Sequence, residues 1–179
     1  MKIVSLLPSA TEIVFALGLG DDLHGVTYEC DYPNEAREKP VVSDTALPQD
    51  RRLSAHETDR AVREFMGRQE PLYRLDKDLI RRIQPDLILA QDLCRVCAVP
   101  SGQVEDALAE LECHAQVISL DPNTIEEVVE GIVEVGRATG TEARASDLAD
   151  ELRGRIESVR RRAAGLPAIR TLALEWSDP

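Results

Sequence analysis

The apolar positions fall into short runs separated by amphipathic stretches. Residues 2–7, KIVSLL, are a run of strand formers that stops at Pro8. In the following SATEIVFALGLG, the spacing of Ile13, Val14, Ala16 and Leu17 predicts a helix with one buried face. Ser9 and Glu12 have capping-box spacing at its start, and Gly18 and Gly20 stop it. LHGVTY (23–28) predicts a second strand and PVVS (40–43) a short third. A helix begins at Ser54, where Ser54 and Glu57 form another capping box, and Val62, Phe65 and Met66 supply its inner face. PLYRL (71–75) is a brief extended piece. Asp76 caps KDLIRRI, which Pro85 closes. DLILA (86–90) is a continuous apolar run of the kind buried on both faces. SGQVEDALAELE predicts a helix and AQVISL (115–120) the next strand.

Strands alternating with helices at this spacing predict an α/β fold with a parallel sheet and right-handed crossovers. The pattern changes after Leu120. Thr124 and Glu127 make a third capping box, and the helix they open ends at Gly140. A second helix runs from about Thr141 to Ala164, roughly 35 Å at 1.5 Å per residue, and Gly165 and Pro167 end it. IRTLALEW (169–176) then predicts one more strand. A lone strand has unpaired edges and an unburied face. It would therefore join the first sheet, pair with a second copy of the chain, or belong to a larger unit that this chain carries in part. The expected organisation is a parallel-sheet lobe with flanking helices (1–122), a helical linker (123–166) and the first strand of an incomplete second lobe (167–179).

Charge narrows the partners. The 179 residues carry a net charge of −12, which disfavours nucleic acid and anionic membrane. No apolar run approaches the length of a membrane span. Pro8, Ser9, Thr11 and Glu12 interrupt the apolar start, so it does not match a signal peptide. The expected location is cytoplasmic as written, or periplasmic or otherwise extracytoplasmic if the sequence is a mature, cleaved form. No Ser–His–acid set, phosphate-cradling glycine loop or paired-carboxylate site stands out.

Ligands of open parallel sheets collect at the carboxyl ends of the strands. The residues predicted there are Ser9 and Thr11 after the first strand, and Glu29, Cys30, Asp31 and Tyr32 after the second. Gln91, Asp92, Leu93, Cys94 and Cys97 follow DLILA, and Asp121 follows VISL. Three of the four cysteines thus share one rim, while Cys113 and His114 fall on the opposite one. A Cys-x-x-Cys pair with a third thiol from another loop suits a thiolate-bound metal or an iron–sulfur cluster. Asp31, Asp92 or His24 could supply a fourth ligand. Reduced thiols lining a pocket, or a disulfide, remain alternatives. A thioredoxin-type role is disfavoured, because the next helix starts only after Pro100 and Ser101.

VSLLPSATEIVFALGLGDDLHGV, ECDYP, QPDLILAQDLC and VISLDPNTIEEVVEGIVEVGRATG together resemble the periplasmic-binding-protein family for cobalamin and iron-siderophores, in its cobalamin-binding-like branch. These are substrate-binding components of ABC importers, and the resemblance extends in order over essentially the whole chain. It implies two α/β lobes joined by a long helix, with a small-molecule metal chelate held in the cleft. Cobalamin, haem or a ferric siderophore would be the ligand, and a permease and ATPase the partners. Residues 1–120 match the first lobe, 124–164 the linker, and IRTLALEWSDP only the first strand of the second lobe. In a complete second lobe Glu175 and Trp176 would contact the ligand. The alternative is a cytoplasmic metal- or iron–sulfur-binding protein that uses Cys30, Cys94 and Cys97 on the same scaffold.

Overall fold

The computed structural model describes residues 1–48, 51–68, 71–92 and 99–173. Its strands are β1 (Ile3–Ser5), β2 (Leu23–Thr27), β3 (Val41–Thr45), β4 (Tyr73–Leu75), β5 (Leu87–Ala90) and β6 (Gln116–Ser119). Its α-helices are α1 (Pro8–Ala16), α2 (Ala55–Arg68), α3 (Lys77–Ile83), α4 (Ser101–Glu110), α5 (Ile125–Thr139) and α6 (Glu142–Ala163). The strands form one sheet in the order β4-β3-β2-β1-β5-β6. The chain therefore winds outward from β1 to β3, then returns to the other side of β1 with β5 and β6.

The pairs β1–β2, β1–β5, β2–β3 and β5–β6 are parallel. The expectation of a wholly parallel sheet is corrected at one edge, where β4 runs antiparallel to β3 with Tyr73 opposite Thr45. The connection through α2 leaves β3 and re-enters the sheet at the same end, with Ala46 N–H donating to the Leu72 carbonyl at 2.7 Å. A connection that returns to the rim it left can only produce an antiparallel neighbour.

Alternation along the strands splits the core into two layers. Ile3, Leu87 and Leu89 pack with Val14 of α1, Ile132 and Val135 of α5 and Ala145 of α6. Val4, Val42, Ile88 and Ala90 pack with Val62 of α2, Ile80 of α3, and Val104 and Leu108 of α4. Every residue of β5 is buried, as a run with no polar alternation requires.

Helix ends follow local chemistry with one correction. Asp76 accepts from Leu79 N–H at 2.8 Å, and Gln84, before Pro85, is left-handed at φ 51°. Ser54 N–H donates to Glu57 at 2.9 Å while Glu57 N–H donates to Ser54 Oγ at 3.3 Å, completing that capping box. Thr124 accepts from Glu127 N–H at 3.1 Å, but the Glu127 carboxylate reaches one residue further back, to Asn123 N–H at 2.6 Å. The Ser9–Glu12 box does not form. Helix α1 starts two residues earlier, with Pro8 in its first turn and Leu7 at the cap. Proline's fixed φ suits the first helical position, and it has no N–H to leave unsatisfied there.

Helices α5 and α6 form a hairpin closed by Gly140, left-handed at φ 70°. Gly136 lies so close to α6 that a methyl group there would sit 2.3 Å from the Ala145 side chain. Only Ala145 and Ala149 of α6 are buried, and its surface beyond Glu157 is exposed. The predicted strand at 169–176 is not seen in its described part. Residues 167–173 carry no regular structure and are exposed. A strand needs hydrogen-bonded neighbours, and this segment has no described strand beside it.

Candidate functional site

The sheet order places the reversal of winding between β1 and β5, so the crevice favoured for ligands lies where these strands end. Leu6 N–H bonds the Leu89 carbonyl at 2.9 Å, which sets the two strand ends side by side. From there α1 departs at Pro8, with Ser9 exposed on its first turn. Next to it a groove of about 360 Å³ runs between α1 and α5, lined by Ser9, Ile13, Leu120, Asp121, Val128 and Gly131 among others.

Asp92 lies beyond β5, exposed, with its carboxylate bonded across the neighbouring element ends. Its carboxylate accepts from Ser101 N–H at 2.9 Å and from the Ser119 hydroxyl at 2.8 Å, while its own N–H donates to Asp121 at 2.6 Å. The side chain thus ties the start of α4 to the end of β6. Gln91 donates to the Leu120 carbonyl at 3.4 Å and braces the same pair of strand ends.

After β2 the predicted residues diverge. Cys30 is buried, its thiol sharing a 3.1 Å hydrogen bond with the hydroxyl of fully buried Thr11. Burial pushes the thiol pKa up, and the Thr11 hydrogen bond only partly opposes this. Cys30 and Thr11 therefore join the segment after β2 to α1 inside the core. Asp31 is exposed and paired with Arg37 at 3.2 Å, and Tyr32 stands out from the rim at 65% exposure.

Glu29 has a different setting. The Tyr28 hydroxyl donates to its carboxylate at 3.1 Å. The Tyr28 and Tyr73 rings lie 6.4 Å apart, centroid to centroid, tilted by 39°. Burial raises the Glu29 pKa, and the neighbouring tyrosine hydroxyls, Tyr28 first, oppose the rise. Desolvation, followed by the Glu29 charge, pushes Tyr28 up to about 12. Tyr73 is displaced upward mainly by desolvation, and next by Glu29. Tyr28 and Tyr73 are not singled out by the sequence. Tyr28 directly precedes Glu29 and could have been included. Tyr73 reaches this rim only through the antiparallel pairing of β4.

The three-thiol metal site finds no support. Cys30 is committed to Thr11, and Cys113 is buried at the opposite end of the sheet. Among the described residues, no three His, Cys, Asp or Glu side chains gather closely enough to hold a metal ion. Leu93, Cys94, Cys97 and Trp176 lie outside the described residues, as does Glu175. No described helix is long and apolar enough to cross a membrane.

Comparison with known proteins follows the same outline. A family model described as Periplasmic binding protein matches residues 3–178. An uncharacterized ABC transporter substrate-binding lipoprotein, YvrC of Bacillus subtilis, is 27% identical over 164 residues, 90% of this chain but 41% of its own length. A vitamin B12-binding protein of Vibrio cholerae is 26% identical over 170 residues, 94% of this chain and 49% of its own. The chain thus spans half or less of the length of these curated relatives. Among solved structures, the periplasmic vitamin B12-binding protein BtuF of Vibrio cholerae superposes with a TM-score of 0.64 at 23% identity. That match covers 92% of this chain and 51% of BtuF. The periplasmic haem-binding protein HutB of the same organism gives 0.64 at 18% identity, over 93% and 52%. At these identities the structures establish a shared fold.

Proposed function

Because the chain belongs to the periplasmic binding protein family, we propose that it supplies one wall of the ligand cleft of an ABC importer's substrate-binding protein. Its cargo is a metal chelate of corrinoid, haem or ferric-siderophore type. Its partners are the importer's permease and ATPase, and it works outside the cytoplasmic membrane. The observation that carries this reading is the crevice at the β1–β5 reversal. Ser9 and Gln91 flank it, Glu29 and Tyr32 stand on the neighbouring strand end, and exposed Tyr32 offers a ring to a flat ligand. The role is binding and not catalysis, and Trp176 and Leu93 are proposed as further contacts. In the proposed organisation, 1–122 is the ligand-binding lobe, 123–166 the linker and 167–179 the entry to a second lobe.

Absorbance titration of the 179-residue chain with cyanocobalamin, haemin and a ferric siderophore tests this, each taken to its solubility limit. Saturable binding of one of them is expected, and it should weaken when Tyr32→Ala removes the exposed ring. Failure to bind any of the three overturns the reading.

A further inference from the structure

We propose that Glu29, hydrogen-bonded by Tyr28, is the specificity-determining residue of this wall, selecting a chelate edge that presents N–H donors over one that carries carboxylates. The inference rests on the chelate-binding reading above and narrows the class of cargo.

Three strand ends build the arrangement. Glu29 and Tyr28 follow β2, where Tyr28 N–H is fixed to the Ser43 carbonyl of β3 at 3.0 Å. Tyr73 begins β4, is 5% exposed and sits opposite Thr45 in the ladder. The carboxylate is therefore positioned by backbone-anchored neighbours and not by a free side-chain rotor. An ionised carboxylate offers about four acceptor positions. The Tyr28 hydroxyl occupies one acceptor site on it, and Glu29 itself stays exposed on the rim. What remains toward solvent is acceptor capacity, which a ligand satisfies with amide, hydroxyl or ammonium hydrogens.

The described surroundings do not offset the charge. Among the described residues that directly follow the parallel strands, 6–11, 28–32, 46–48, 91–92 and 120–124 include Glu29, Asp31, Asp92 and Asp121 but no lysine, arginine or histidine, and Arg95, further along the segment after β5, lies outside the described residues. Arg37 is engaged with Asp31 at 3.2 Å, and Arg51, in the loop after β3, with Glu57 at 2.8 Å. A haem edge brings two propionates toward this rim, against like charge. A corrin edge brings primary amides, whose N–H groups match an ionised acceptor. Hydrogen bonds to charged groups contribute more than neutral ones, so Glu29 can dominate the choice.

The test is a matched ligand pair: cyanocobalamin, and the monocarboxylic acids made by hydrolysing one of its peripheral amides. Dissociation constants are measured for the wild-type chain, Glu29→Gln and Glu29→Lys, with folding checked by circular dichroism. The wild type is expected to favour the amide form by about tenfold or more, the factor a single charge-assisted hydrogen bond supports. Glu29→Gln should bring the ratio toward one, and Glu29→Lys should invert it and admit haemin. A wild type that binds the two forms equally, or prefers the acid or haemin, overturns this inference and leaves chelate binding intact. So does an unchanged ratio in Glu29→Gln. A wild type that binds neither corrinoid but takes haemin has the same meaning, whereas no binding of any chelate overturns both readings. The wild-type ratio decides the matter even where a variant fails to fold.

Discussion

The hairpin of α5 and α6 depends on one missing methyl group. A Cβ built on Gly136 would lie 2.3 Å from the Ala145 Cβ, and 3.5 Å from the Thr141 carbonyl oxygen. Carbon atoms in contact sit about 3.5–4.0 Å apart, so Gly136→Ala forces the helices apart by roughly an ångström or more. Overpacking of this kind costs about 1–3 kcal/mol. Replacing a helical glycine by alanine returns about 1 kcal/mol of intrinsic propensity. Gly136→Ala is thus expected to destabilise by about 1 kcal/mol net. Ala145→Gly should cost about 2 kcal/mol, from a lost buried methyl and a lost helix former.

The exchange Gly136→Ala with Ala145→Gly moves the methyl from one helix to the other and restores the close approach. It should therefore lie near the wild type, with a coupling of about −2 to −3 kcal/mol in the double-mutant cycle. Urea unfolding followed by circular dichroism measures all four corners. Additive effects, within about 0.5 kcal/mol, would refute the reasoning, as would a Gly136→Ala chain stabilised by its full propensity gain.

Three other outcomes follow from local geometry. Ser54 and Arg51 hold the Glu57 carboxyl at about 2, against an ordinary 4.5. The stability it adds is complete above 4.5 and is lost as pH falls toward 2, so wild type and Glu57→Gln should converge over that window in acid titrations of unfolding; parallel curves would contradict the cap. The Cys30 thiol, buried against Thr11, should resist aromatic disulfide reagents at mildly alkaline pH until urea is added, in a chain with Cys94 and Cys97 replaced by serine. Rapid labelling of the folded chain at Cys30 would show that it is open to the rim. Asp92→Ala frees Ser101 N–H and the Ser119 hydroxyl together and should cost about 1–2 kcal/mol in urea unfolding, whereas Asp92→Asn, which keeps one acceptor, should cost less.

The fold was legible wherever one element's pattern depended only on itself. KIVSLL and LHGVTY read as strands from their strand-forming residues, and DLILA as one buried on both faces, because both faces of the sheet are covered and a doubly covered central strand tends to an unbroken apolar run. Asp76, Thr124 and Gly140 declared their helix ends because capping uses side chains within three residues of the bond they make. Ser9 misled because two start signals compete there, and Pro8 prevails by fixing the first φ. Residues 169–173 misled in another way, since strand composition does not supply a strand partner.

The site was less legible for the same reason. Sequence placed Glu29, Cys30, Asp31 and Tyr32 at the correct end of β2, but not the direction of each side chain. Cys30 turns into the core to meet Thr11, Asp31 turns out to Arg37, and Glu29 accepts from Tyr28, whose ring lies beside that of Tyr73. A period-two alternation ends with the strand, so beyond Thr27 each direction is set by tertiary partners. Tyr73 is informative here. Its neighbours in sequence suggest only a short extended piece, and its value to the site arises from the antiparallel turn-back of β4. A wholly parallel sheet would have carried Tyr73 to the opposite rim, away from Tyr28. The single antiparallel edge is therefore what sets the Tyr73 ring 6.4 Å from that of Tyr28, on the rim that also carries Glu29.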